Sequence, residues 1–117
     1  MVRQKHADGV SEILHDVPGV MEVVAVKWPA SSRTEKFSYD KAHGFVHVLE
    51  GEAYVMYVME ENRTVRVPAG KNFTLEPETF YVIGSVYGAK TLHFNAPPAT
   101  GATSFLQEED DCLDDGD

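Results

Sequence analysis

A chain of 117 residues with 43% hydrophobic side chains fits one domain with one ordinary core, which argues against a second folded unit. Its net charge of −9 is concentrated in residues 108–117, where seven acids occur without a base, and setting those aside leaves −2; no basic stripe for nucleic acid remains. Apolar runs such as residues 53–59 are far shorter than the ~20 residues of a membrane span, the start lacks a signal-peptide core, and a single cysteine, Cys112, excludes an intrachain disulfide and a multi-cysteine zinc site. The expectation is a soluble cytoplasmic protein with neither a nucleic-acid nor a membrane partner.

Residues 1–8 are polar and expected to fray. Val10, Ile13, Leu14 and Val17 fall at helical spacing, with Ser11 as a cap and Pro18-Gly19 as a stop, so a short N-terminal helix or turn across the barrel edge is expected there; His15 on it reads as a surface residue. Residues 20–28, VMEVVAVKW, are rich in β-branched side chains and read as the first long strand, closed by Pro29. Its apolar residues occupy both parities, Val20, Val24, Val26 and Trp28 on one face and Met21, Val23 and Ala25 on the other, as in a strand covered on two sides.

A short strand at 35–39 and a turn at 40–42 follow. Residues 44–49 form an apolar strand, Glu50-Gly51 a tight turn, and 52–59 the returning strand. A polar hairpin loop at 60–63 leads to a strand at 64–67 and a sharp turn at Pro68-Ala69-Gly70. Phe73 and Leu75 share a face of the next strand, which Glu76-Pro77-Glu78 interrupts. Strands at 80–83 and 89–95 complete the sheet before Pro97-Pro98. About eight to nine short strands with one helix favour an all-β barrel or sandwich, with the barrel at residues 9–107 and a disordered acidic tail at 108–117.

The phrases Val48-Leu49-Glu50-Gly51-Glu52 and Val67-Pro68-Ala69-Gly70, followed by a proline-bearing turn before Tyr81, resemble the two motifs of the cupin family. The resemblance covers residues 37–85 and, with flanking strands, nearly the whole barrel. It implies a double-stranded β-helix, or jelly-roll barrel, and in most members a metal held by three histidines and a glutamate. This chain departs from that ligand pattern. The glutamate position falls on Gly44, the first two histidine positions on Ser38 and Asp40 or on Phe37 and Tyr39, and the third on Tyr81; Glu78 stands in place of the motif's glycine and Ser85 in place of its asparagine.

His43 and His47 lie on one face of a strand about 13 Å apart at strand rise, too far to share an ion at ligand distances of about 2.0–2.1 Å. With Gly44, Val46 and Val48 inward, His43, Phe45 and His47 face outward; a one-residue bulge at Gly44 would turn His43 into the barrel. His93, in the alternation Thr91 to Asn95, reads either as a hydrogen-bonded core-edge histidine or as a pocket residue. The glutamates Glu35, Glu50, Glu52, Glu76 and Glu78 fall at turns and polar faces. Most aromatics belong to the core, and Tyr81 is the one best suited to line a cavity.

The candidate ligand-binding residues are therefore Tyr39, Asp40, His43, Tyr81 and His93. The first reading is a protein that binds a small organic or carbohydrate-like ligand in its barrel without a cofactor. An alternative is a metal-dependent isomerase, lyase or dioxygenase, the activities the resemblance implies, with a divalent transition metal on Asp40, His43, Tyr81 and His93. A third reading is a sensor or interaction module whose acidic tail meets a basic partner. The second apolar face of residues 20–28, with Phe45 beside it, predicts a homodimer.

Overall fold

The segment expected to be a helix is a strand. In a computed structural model that describes residues 10–99 and 103–105, Val10–Val17 forms β1 and pairs antiparallel with β2, Met21–Trp28. The register slips between Ile13 and His15. One extra residue at that bulge reverses the side-chain parity, so apolar residues on a bulged strand copy the three-and-four spacing of a helix. Pro18-Gly19, expected as a helix stop, closes the β1–β2 hairpin, with Gly19 at φ +76° and Val20 N donating to Val17 O at 2.8 Å.

The remaining elements follow the expected order with two additions. They are β3 (Ser32–Arg33), β4 (Phe37–Tyr39), β5 (His43–Tyr57), a 3-10 turn at Val58–Glu60, β6 (Arg63–Pro68), β7 (Asn72–Leu75), β8 (Tyr81–Ser85), β9 (Ala89–Ala96) and β10 (Thr103–Phe105). The additions are β3, a two-residue strand in the loop after Pro29, and β10, a strand beyond Pro97-Pro98, where the sheet was expected to end; each is held by pairing across the barrel, to β8 and β4 respectively. Every pairing between them is antiparallel. One side of the barrel runs β1-β2-β9-β5-β7, and the other joins β6, β5, β8, β4 and β10, with β3 on β8.

Strand β5 belongs to both sides, which corrects the expected reversal at Glu50-Gly51. Its first part, from His43 to Gly51, pairs with β9, and its second, from Glu52 to Tyr57, with β6 and β8. The chain bends there and continues. Gly51, at φ +73°, takes a conformation that L side chains avoid, and a Cβ on it would collide with the carbonyl oxygen of Gly88. A glycine of this kind can redirect a strand as readily as reverse it. The Pro68 turn seals the bend, with Ala69 N donating to Gly51 O at 2.9 Å and Gly70 N to Val48 O at 2.8 Å.

One core fills the barrel. Val46, Val48 and Leu75 from one side meet Phe37, Val55, Val67, Tyr81 and Ile83 from the other, which is the jelly-roll arrangement expected of these strands. No helix among the described residues is long and apolar enough to cross a membrane. The expected frayed start at 1–8, the acidic tail at 108–117 and Cys112 lie outside the described residues.

Candidate functional site

Alternation along β2 and β9 turns Glu22, Thr91, His93 and Asn95 to the inside of the barrel, where Glu22 is 2% and Asn95 3% exposed. Register brings them together, since Glu22 faces Asn95, Val24 faces His93 and Val26 faces Thr91. Burying a carboxylate requires hydrogen bonds to its oxygens. Glu22 Oε2 accepts from Asn95 Nδ2 at 2.8 Å and from the backbone N–H of Ala99 at 2.9 Å.

A second chain of bonds runs beside the first. Trp28 Nε1 donates to Thr91 Oγ1 at 2.9 Å, and Thr91 Oγ1 lies 2.8 Å from His93 Nε2. An indole N–H can only donate, so Thr91 Oγ1 accepts from Trp28 and uses its remaining lone pair or its own proton toward His93 Nε2. Burial holds His93 down to about 4, against the opposing pull of the Glu22 charge. The imidazole is therefore neutral at pH 7.

Tyr39, on β4, completes the cluster. Burial raises its phenol well above the ordinary range, the Glu22 charge adds to the rise, and the Asn95 amide eases it. The phenol keeps its proton. Asn95 Oδ1 is buried without a hydrogen-bond partner among the described residues. It lies over Gly44, where a Cβ would stand 3.0 Å from that oxygen, 3.0 Å from Tyr39 Cε2 and 3.3 Å from Leu75 Cβ.

Of the five candidates, Tyr39 and His93 reach this cluster and the others stand elsewhere. Asp40 is exposed and accepts from Ser104 Oγ at 2.7 Å. His43 is exposed on the outer face, 3.7 Å from Glu76. The irregularity in β5 falls between Val48 and Glu50 and not at Gly44, so the bulge that would turn His43 inward does not occur. His47 is also outside, bonded to Asn72 Oδ1 at 2.8 Å. Tyr81 is buried, but its hydroxyl accepts the Glu76 N–H at 2.8 Å and its ring packs on Phe37 and Tyr57. It anchors the turn at 76–80.

Glu22, Thr91 and Asn95 were missed by motif spacing, although the strand pattern contained them. Glu22 shares its parity with Val24, Val26 and Trp28, one carboxylate on an otherwise apolar face. Asn95 shares the parity of His93.

The metal centre that the cupin resemblance implies does not fit these residues. The place of its glutamate is Gly44, and the space beside that backbone is taken by Asn95 and Tyr39. Among the described residues no three His, Cys, Asp or Glu side chains converge as metal ligands.

No family model and no curated protein sequence matches the chain. Solved structures do. An RmlC-like cupin protein from Desulfovibrio desulfuricans aligns at TM-score 0.69 with 22% identity over 84% of this chain and 91% of its own. A Klebsiella pneumoniae protein with a double-stranded β-helix domain aligns at TM-score 0.73 with 12% identity over 91% and 90%. KdgF from Halomonas sp. aligns at 0.70 with 14% identity over 81% and 85%. At these identities the likeness establishes the architecture, which is the cupin double-stranded β-helix.

Proposed function

We propose that this cupin-fold chain binds a small organic, carbohydrate-like ligand inside its barrel, held by Glu22, His93, Asn95 and Tyr39, without a tightly bound transition metal. The observation that carries this reading is Asn95 Oδ1. Buried amide oxygens nearly always have a partner, and leaving one unpaired costs about 1–3 kcal/mol, so an acceptor kept ready inside a polar cluster suits a ligand hydroxyl or N–H. The metal-dependent alternative has less support, because Asp40 and His43 stand outside the barrel, away from His93. The tail-mediated interaction reading rests on residues beyond those described.

Metal analysis of dialysed protein, combined with ligand-observed NMR on the same sample, tests the proposal. The expected result is less than stoichiometric transition metal together with binding of small hydroxylated compounds that weakens at least tenfold in Asn95→Ala. A stoichiometric metal that survives dialysis would overturn it.

A further inference from the structure

We infer that two copies of the chain stack the outer faces of β2, β9 and β5 on one another with their strands aligned, about a two-fold axis parallel to β9, and that Lys27 of each copy is held by Glu50 of the other. Register lays three rows of side chains across this face. Val23, Phe94 and Phe45 form the first, Ala25, Leu92 and His47 the second, and Lys27, Lys90 and Glu50 the third. The first two rows are apolar apart from His47, and both phenylalanines are exposed.

The third row is charged and unbalanced within one chain. Lys27 and Lys90 are direct register partners, and like charges placed so repel. Lys90 has Glu50 at 3.7 Å, whereas Lys27 is exposed and has no ion-pair partner among the described residues.

A second copy supplies what is missing. Rotation about an axis along β9 exchanges β2 with β5 and keeps each row in place, so Lys27, Lys90 and Glu50 lie over Glu50, Lys90 and Lys27 of the second copy. Both Lys27 side chains gain a carboxylate, and the two Lys90 side chains meet at the axis, each beside the Glu50 of its own chain. The same rotation puts Phe45 over Val23 and His47 over Ala25, a larger side chain against a smaller one each time, as suits interdigitating sheets about 10 Å apart. An axis running across the strands between the two apolar rows would set Lys27 over Met21 and leave its charge unmatched.

Charge reversal tests both the pairing and its register, read by sedimentation equilibrium on the full chain. Lys27→Glu sets acid against acid at the contact and Glu50→Lys sets base against base, each twice per dimer, and either variant alone is expected to dimerise at least tenfold more weakly than the unsubstituted protein. An equimolar mixture restores opposite charges at both contacts and is expected to pair at least tenfold more tightly than either variant by itself. Mixing alters nothing within a chain, so this recovery reports contacts between chains alone. A mixture no tighter than its components, or variants that pair as well as the unsubstituted protein, would overturn the Lys27–Glu50 contact. A single-chain mass for the unsubstituted protein would overturn the interface itself. Where Glu50→Lys does not fold, Lys27→Glu decides alone: it relieves the repulsion by Lys90 within its own chain, so a tenfold weaker dimer from a chain no less stable supports the pairing, and an unchanged dimer overturns it.

Discussion

Glu22 and Asn95 are 73 positions apart in the chain, yet they face one another across β2 and β9, and the amide nitrogen of Asn95 donates to the carboxylate at 2.8 Å. This bond sets which way the amide points. Its nitrogen faces the charge, so its oxygen is turned to the Gly44 side, and flipping the amide would set two acceptors against each other.

Removing the carboxylate should therefore strand two donors. Glu22→Ala leaves Asn95 Nδ2 and the Ala99 N–H without their acceptor, and is expected to cost about 2–4 kcal/mol. Glu22→Gln retains an acceptor oxygen and should cost about 1 kcal/mol. Urea unfolding of both variants measures the difference; equal losses would show that Glu22 is not serving as the acceptor.

Acid should weaken the fold through His93. Its ring titrates near 4 in the folded protein against an ordinary 6.5, so between those values the unfolded chain holds a proton that the folded chain does not. Stability is unaffected by this group above pH 6.5, falls as pH drops through the window, and levels off below about 4, a total of about 3 kcal/mol. The ring feels the Glu22 charge and bonds Thr91, which Trp28 bonds in turn. Unfolding midpoints at pH 7.5, 5.5 and 4.5 should show the slope, and His93→Gln should flatten it. An unchanged slope in that variant would assign the acid sensitivity elsewhere.

Side chains at position 44 should be poorly tolerated. A Cβ there meets the Asn95 amide oxygen, the Tyr39 ring and Leu75 at once, and overpacking of this kind typically costs about 1–3 kcal/mol. Gly44→Ala is expected near the low end. Gly44→Glu, which restores the residue type the cupin motif has at this position, should destabilise more and gain no stoichiometric zinc or manganese. Calorimetric melting with metal analysis checks both halves, and a metal-loaded Gly44→Glu protein would contradict the packing described for Asn95 and Tyr39.

A row of apolar side chains crosses the outer face of three strands. Val23 of β2 pairs with Phe94 of β9, which pairs with Phe45 of β5, and the two rings lie 6.0 Å apart while remaining 36% and 40% exposed. We propose that a second copy of the chain covers this face about a two-fold axis. Light scattering should give twice the chain mass of 13.0 kDa, and Phe94→Lys should return it to a single chain. A single-chain mass for the unsubstituted protein would mean that the face is not a dimer interface.

Strand alternation was legible over most of the chain because antiparallel strands with one buried face write a period of two into the sequence. It failed where backbone geometry broke that period. The bulge in β1 shifted Ile13 and Leu14 into a helix-like spacing, and the bend at Gly51 looked like a reversal because positive φ serves both. The site was half legible. His93 and Tyr39 stood out as polar or aromatic residues inside alternating strands. Asp40 was drawn in by its spacing from Gly51 and His43 by a bulge considered at Gly44, whereas spacing along a strand says nothing about neighbours across the sheet. Glu22 was passed over because a charged residue in a strand is ordinarily assigned to solvent, and only the register with Asn95 gives it a reason to be inside.

Trp28 is the only tryptophan in the chain, and its indole N–H ends the line of bonds that runs through Thr91 to His93. The emission of a buried indole follows the polarity and hydrogen bonding around that N–H. Anything that enters the barrel and draws on Thr91 or His93 will alter the light this residue gives off, so the unlabelled protein carries a fluorescent signal of whether its interior is occupied.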